Sequence, residues 1–147
     1  MENQDIATYV LPGENIKSLQ SFYEVFGEMV NGRGGYFGKN LVAFEDCLLG
    51  GFGLELPCKI IFKNSNIARK TLDHRCLADW CKFELENDED LYCEGFESGL
   101  KWFKDTYDKA SQGLGETMFD ILVEIIRRVG RRDLFSNLGK EICLIIE

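Results

Sequence analysis

Residues 59–62 read KIIF and residues 142–146 read ICLII, two short runs that are almost entirely apolar and rich in β-branched side chains. Runs of this kind are typical of strands in a parallel sheet that is covered on both faces. A third candidate strand covers residues 6–11 and ends in the turn pair Pro12 and Gly13. The stretches between the strands have helical period. The order predicts an α/β fold, with a small three-stranded parallel sheet and flanking helices.

Length, composition and charge narrow the class of protein. The chain has 147 residues, of which 45% are hydrophobic and 29% are charged. These values predict one globular domain over residues 1–147 and exclude a disordered or collagen-like chain. The 25 acidic residues outnumber the 17 basic ones, which leaves a net charge of −8. Because such a field repels phosphate backbones, we expect no direct binding of nucleic acid and a basic protein as the partner.

The predicted location follows from the amino terminus and the cysteines. Residues 1–10 contain Glu2 and Asp5 but no basic residue, and no apolar run has the length of a signal or membrane-spanning segment. The six cysteines are scattered through apolar patterns in a chain that is large enough to fold without disulfides. We therefore expect a cytoplasmic protein with free thiols and no contact with a membrane.

Two helices are predicted between the first two strands. The first begins near Ser18 or Ser21, where either side chain can accept a hydrogen bond from a free backbone amide. A glycine-rich loop at residues 31–39 follows, and its glycines permit backbone angles that other residues adopt only at a cost. Asn40 then caps a second helix over about residues 41–49.

The second helix has two different faces when its residues are placed about 100° apart. The predicted core face consists of Leu41, Phe44, Cys47 and Leu48. Val42, Asp46 and Leu49 lie on the opposite side, with Glu45 on the flank. A carboxylate between two outward aliphatic side chains is typical of a contact patch, in which apolar anchors surround a charge that enters a basic pocket. The alternative is that the segment after the second strand folds over this face and buries Val42 and Leu49.

The segment 36–48, YFGKNLVAFEDCL, resembles the loop and second helix of the barstar family. The family pattern is aromatic-aromatic-Gly-x-Asn-Leu-x-x-Leu-x-Asp-x-Leu, and the register and spacing agree. Gly13 and Glu14, followed by Ile16 and Ser18, match an earlier block of the family at the corresponding distance. The resemblance implies the same α/β fold with three parallel strands.

The resemblance covers about residues 7–72 and, by pattern and order, residues 116–147. The stretch from Asp73 to Gly115 has no counterpart, so we interpret it as an insertion before the last helix and strand. Members of the family are intracellular inhibitors that plug the active site of a ribonuclease with this loop and helix. The resemblance therefore implies an immunity protein, the antitoxin of a basic ribonuclease toxin, that is not an enzyme and has no cofactor or metal.

The resemblance also implies a partner-binding surface. Asp46 matches the helix carboxylate that occupies a substrate-phosphate position in the basic cleft of the ribonuclease. Four further residues fall on other positions of that surface, namely Tyr36, Gly38, Asn40 and Gly50. Together with one more loop residue and the outward residues of the helix, the predicted partner-binding set is Tyr36, Phe37, Gly38, Asn40, Val42, Glu45, Asp46, Leu49 and Gly50.

Several positions depart from the family pattern. Val42 stands where the family has a second helix aspartate, one turn before Asp46. Glu45 and Gly51 replace aromatic residues at the rim of the surface, and Lys39 replaces an acidic residue. Glu124 is the candidate for an acidic contact on the last helix. We therefore expect a different ribonuclease, bound by a more apolar patch in which Glu45 is the candidate for a second negative charge.

A second candidate function belongs to another class. His74, Cys76, Cys81 and Cys93 are the one nitrogen and three sulfur ligands from which a tetrahedral zinc site could form, although their spacing differs from that of common zinc modules. The alternative protein is a non-inhibitory interaction module that zinc stabilises through the insertion. The acidic run over residues 84–97 is either a solvated surface or an extra docking surface for a basic toxin.

The sequence does not favour an enzyme. No Gly-x-Ser-x-Gly, P-loop or Gly-x-Gly-x-x-Gly signature follows a predicted strand. His74 is the single histidine, so a nucleophile activated by histidine would have to be Cys76 or Cys81 beside it. We therefore predict a binding protein rather than a catalyst.

Overall fold

A computed structural model describes residues 6–131 and 139–147. Within them the chain forms one sheet of three parallel strands in the order β1-β2-β3. The strands are β1 (Ala7–Pro12), β2 (Cys58–Lys63) and β3 (Ile142–Ile146). The predicted α/β fold is confirmed, and each strand lies within two residues of its predicted position. The prediction about a signal segment used residues 1–10, of which residues 1–5 lie outside the described residues.

Helices fill both connections between the strands. The elements between β1 and β2 are α1 (Leu19–Asn31) and α2 (Leu41–Leu48). The elements between β2 and β3 are α3 (Ser65–Thr71), α4 (His74–Asn87), α5 (Glu97–Ser111) and α6 (Met118–Gly130). Short 3-10 helices follow β1 at Gly13–Asn15 and α4 at Glu89–Tyr92. Across the described ranges, every helix is too short or too polar to cross a bilayer.

Side-chain caps determine where the helices begin. Both serines predicted as alternatives take part at α1, because Ser18 Oγ accepts from the Ser21 backbone amide at 3.0 Å and Ser21 Oγ accepts from the Ser18 amide at 2.9 Å. The predicted cap of α2 is also confirmed, with Asn40 Oδ1 accepting from the Ala43 amide at 2.8 Å. Thr117 and Asp120 form a second reciprocal pair at the start of α6.

The core lies between one face of the sheet and the helices. A group of aromatic rings joins α1, the following loop and α2, with neighbouring ring centroids 4.8–5.8 Å apart. Its members are Phe22, Phe26, Phe37 and Phe44. Such edge-on and tilted aromatic pairs add to the stability gained from burial. They hold α2 in a defined position, which matters because α2 carries the candidate site.

The prediction of a sheet covered on both faces is wrong. The register of β2 and β3 places Ile60 and Leu144 on one face of the sheet, and both residues are buried. The other face contains Val10, which is exposed, and Ile61 and Ile145, which are half-buried. A short apolar run therefore indicates a strand, but it does not by itself require that both faces of the sheet are fully covered.

The segment predicted as an insertion, residues 73–115, folds into a helical hairpin of α4 and α5. Its two ends meet, because the Met118 amide donates to the Asp73 carbonyl at 3.3 Å and the Phe119 amide donates to the Leu72 carbonyl at 2.9 Å. Helix α4 also buries Leu77 and Cys81 in the common core. The hairpin is therefore part of the packed body of the protein.

Candidate functional site

Helix α2 presents the two faces that its sequence predicts. Its core side is buried at Leu41, Phe44, Cys47 and Leu48. On the opposite side Val42 is 73% exposed and Asp46 is exposed. The alternative, in which the later segment folds over this side and buries Val42 and Leu49, is therefore wrong for Val42. A rigid helix thus displays one carboxylate and one aliphatic side chain to solvent, one turn apart.

Two neighbouring carboxylates on α2 have different electrostatic surroundings. Glu45 is half-buried, and its Oε1 lies 3.3 Å from Nη2 of Arg128 on α6. Asp46 has no cationic side chain in ion-pair contact among the residues that the structure describes, and it faces water. The negative charge of Glu45 is thus offset within the protein, whereas that of Asp46 is available to a partner. This difference does not favour Glu45 as the second negative charge of the contact.

Two loops beside α2 carry an exposed aromatic pair. The rings of Tyr36 and Phe52 lie 6.2 Å apart, and both are exposed. Asn31, at the end of α1, holds the two loops together, because its Nδ2 donates to the Tyr36 carbonyl at 3.2 Å and to the Phe52 carbonyl at 2.8 Å. Neither Phe52 nor Asn31 is in the predicted set. The glycines that flank Phe52, at positions 51 and 53, are the sequence signal of a shaped loop.

The glycine-rich loop needs glycine where it meets α2. Gly38 has a φ of 94°, in a region that favours glycine, and it is buried. A Cβ atom there would stand 2.7 Å from the Phe44 backbone nitrogen. This close approach places the loop directly on the first turn of α2. Gly50, just after the helix, also has a positive φ, of 126°. Backbone geometry accounts for glycine at both predicted positions.

Three members of the predicted set have structural roles. Phe37 is 1% exposed, since its ring packs against Phe26 at 4.8 Å, so the side chain belongs to the core and not to the surface. Leu49 was expected to face water but is half-buried against the core, just past the last residue of α2, where its amide donates to the Asp46 carbonyl at 3.1 Å and the turn tightens. Asn40 is exposed, yet its side-chain oxygen is engaged as the cap of α2. We call Tyr36, Val42, Asp46 and Phe52 the loop-helix surface.

The four candidate zinc ligands are not brought together. His74 Nε2 lies 2.9 Å from the Gly115 carbonyl oxygen, and Cys81 is fully buried in the core. Cys93 is exposed on the far side of the 3-10 helix that follows α4. Within residues 6–131 and 139–147, no three His, Cys, Asp or Glu side chains converge as metal ligands. The zinc-stabilised alternative therefore gains no support from the geometry.

The cysteines are free, as predicted, and the buried ones are poor nucleophiles. Burial, with a smaller contribution from the charge of Asp46, raises the pKa of Cys47 above its usual range. Burial also raises the pKa of Cys76 and of Cys81 to about 11 and that of Cys58 to about 12. These thiols are protonated at neutral pH, which does not favour Cys76 or Cys81 as a catalytic thiolate.

Comparison with known proteins supplies one match. Searches of curated proteins and of solved structures found no match to the chain. A family model described as Barstar (barnase inhibitor) matches residues 6–95, which is more than half of the chain. The match includes β1, β2, the loop-helix surface and α4, and it ends before α5. The chain belongs to the Barstar family.

Proposed function

We propose that this protein is an immunity protein that inhibits a cytotoxic ribonuclease by placing Asp46 in its active-site cleft. The observation that carries the proposal is the exposed carboxylate of Asp46 on α2, which no cation among the described residues neutralises. Membership of a family described as barnase inhibitors supports a ribonuclease as the partner. Such an inhibitor acts in the cytoplasm, where the toxin is made.

The chemistry of a ribonuclease cleft suits this surface. The cleft holds phosphate groups with Arg, Lys and His side chains, so a carboxylate on a rigid helix can occupy a phosphate position. The net charge of −8 accelerates encounter with a basic enzyme through long-range attraction. Val42, Tyr36 and Phe52 are exposed around the charge and supply the apolar contact that excludes water. Water exclusion strengthens the central ion pair, because the local dielectric constant falls.

Rigidity of the surface supports tight inhibition. The loop-helix surface is held in place before a partner arrives. Asn40 caps α2, the ring of Phe44 packs in the aromatic core, and Asn31 bonds to both loops. Less conformational entropy is then lost on binding, and more of the interaction energy appears as affinity. Because its shape is fixed in advance, the surface is suited to block one particular cleft.

The test uses candidate toxic ribonucleases of the host, beginning with any that is encoded next to this protein. Wild-type protein should form a complex with one of these enzymes and stop its cleavage of RNA. Asp46→Ala should weaken inhibition by about 2–5 kcal/mol, the range typical of removing one partner of a buried, hydrogen-bonded charge pair at an interface. The matched control is Asp108→Ala, which removes an exposed aspartate from α5 and should inhibit like wild type.

Two results would contradict the proposal. One is undiminished RNA cleavage and no complex with wild-type protein. The other is full inhibition by Asp46→Ala. Thermal unfolding of both variants tests whether a loss of inhibition comes from a loss of folding. Because an exposed aspartate contributes little to stability, both variants should unfold within about 0.5 kcal/mol of wild type.

A further inference from the structure

A groove of about 640 Å³ separates the first turn of α2 from the α4–α5 hairpin. Its α2 side includes Val42, so the groove opens beside the loop-helix surface, one turn from Asp46. Its hairpin side includes the rings of Trp80, Phe83 and Phe103. Phe83 is 60% exposed, which is unusual for a phenylalanine on a helix that packs into a core.

Two carboxylates belong to the same groove. Glu84 and Asp88 line it from the last turn of α4 and the residue that follows. Glu84 is half-buried, and no cation among the described residues forms an ion pair with it. Burial, and then the charge of Asp88, raises the pKa of Glu84 above its ordinary value. The free protein thus holds a partly desolvated negative charge with no partner of opposite sign.

Aromatic rings beside unpaired carboxylates form a site for an organic cation. The faces of Trp and Phe attract a cation through their quadrupoles, and the attraction grows as water is excluded. The carboxylates supply the opposite charge and accept hydrogen bonds. One oxygen of Asp88 already accepts from the Asp90 amide at 3.1 Å, so Glu84 is the main acceptor. Lys39 also lines the groove, and its charge offsets only part of the negative charge.

We propose that this groove binds an arginine side chain of the ribonuclease, which enters beside Val42, stacks on the rings that line the groove and pairs with Glu84. The inference rests on the proposed function and extends the contact from α2 to the hairpin. Arginine fits better than lysine because its flat guanidinium stacks on rings and donates two parallel hydrogen bonds to a carboxylate. It also gives Glu84 and Asp88, at the start of the acidic run, a defined role beside the main contact.

The first experiment tests the groove without the ribonuclease. N-acetyl-arginine amide is titrated into the full-length protein and followed by amide NMR. Saturable shifts are expected at Phe83, at Glu84 and at the Trp80 indole, with weaker binding of N-acetyl-lysine amide. Glu84→Gln should weaken binding about tenfold. Glu86→Gln, on the exposed side of α4, is the matched control and should bind like wild type.

The second experiment uses the ribonuclease that wild type inhibits. Glu84→Gln and Phe83→Ala should each raise the dissociation constant of the complex about three- to thirtyfold, since each removes one part of the site. The controls are Glu86→Gln and Phe96→Ala, which alter an exposed carboxylate and an exposed ring outside the groove. Both controls should bind like wild type.

The outcomes separate the groove from the proposed function. If Asp46→Ala abolishes inhibition while Glu84→Gln and Phe83→Ala behave like their controls, the groove proposal is wrong and the function stands. If no ribonuclease is inhibited, both proposals are overturned, whatever the small probe does. If the arginine probe shifts no residue of the groove, or binds equally well to Glu84→Gln, the arginine site is refuted even where inhibition by Asp46 is intact.

Discussion

Helix α2 and the α4–α5 hairpin carry the two surfaces that we assign to the partner, but they differ in how far their sequences reveal them. Helix α2 buries one face only, so the residues opposite Phe44 had to be exposed. The hairpin has large apolar side chains in several directions, among them the exposed Phe83 and the half-buried Trp80. The sequence of a helix that packs on one side indicates which residues are exposed, whereas the sequence of a helix that packs on several sides does not.

The two regions also differ in how they hold negative charge. On α2 the exposed charge of Asp46 is fully hydrated, and the adjacent Glu45 pairs with Arg128. In the groove Glu84 is partly desolvated and costs the free protein some stability, as its raised pKa shows. The charge of Asp46 would thus accelerate encounter with the partner, whereas the charge of Glu84 would be stabilised only in the complex.

The largest expected effect tests whether α2 is as firmly anchored as its packing indicates. Phe44→Ala removes the ring at the centre of the aromatic core and should lower the free energy of unfolding by about 3–5 kcal/mol. Urea unfolding measures the loss. Val42→Ala, on the exposed side of the same helix, is the control and should stay within about 0.5 kcal/mol of wild type. A loss below about 1 kcal/mol for Phe44→Ala would show that α2 is loosely held.

The next effect tests whether the hairpin is part of the core or merely attached to it. Leu77 is buried on α4, so Leu77→Ala should cost about 2–5 kcal/mol of unfolding free energy in a single transition. Leu114→Ala, after α5, alters an exposed leucine and serves as the control. A separate early transition in urea would show instead that the hairpin unfolds alone, and removal of residues 73–115 would then be a usable test of their role.

A smaller effect concerns the cap that begins α2. Asn40→Ala leaves the Ala43 amide without its acceptor and should cost about 0.5–2 kcal/mol of stability. It should also weaken inhibition slightly, because the first turn carries Val42. Asn40→Ser keeps an acceptor at the cap and should recover most of the stability, as measured by urea unfolding. Equal losses for the two variants would mean that Asn40 acts through another contact.

The smallest effect is on the stability of the free protein and depends on pH. The folded protein raises the pKa of Glu84, so the folded state binds this proton more tightly than the unfolded state. Stability from this group is therefore present below the ordinary glutamate pKa of 4.5 and falls as the pH rises through the raised pKa. Glu84→Gln should match wild type at low pH and unfold at slightly higher urea concentration at pH 7.

Glu86→Gln is the control for this measurement, because Glu86 is exposed on the same helix and lies outside the groove. A Glu84→Gln variant that is less stable than wild type at pH 7 would show that the carboxylate has a stabilising partner. That result would also remove the desolvated charge on which the arginine groove depends.

Much of the fold and part of the site could be predicted because the signals are local. Strands β2 and β3 follow from short apolar runs, and α2 follows from a cap and a helical period. Prediction failed for Phe37, which the aromatic pair at 36 and 37 placed on the surface. One of two adjacent loop residues must point inward, and the cavity between Phe26 and Phe44 determines which one.

The amino-acid sequence by itself determined the α/β class, the positions of the three strands along the chain and the outward position of Asp46, because period and capping act over a few neighbouring residues. Only the tertiary structure decided that Glu45 is neutralised by Arg128, a residue 83 positions away. It alone likewise decided that the hairpin and α2 enclose a groove. Both features arise from distances between remote segments, and these exist only once the core has packed.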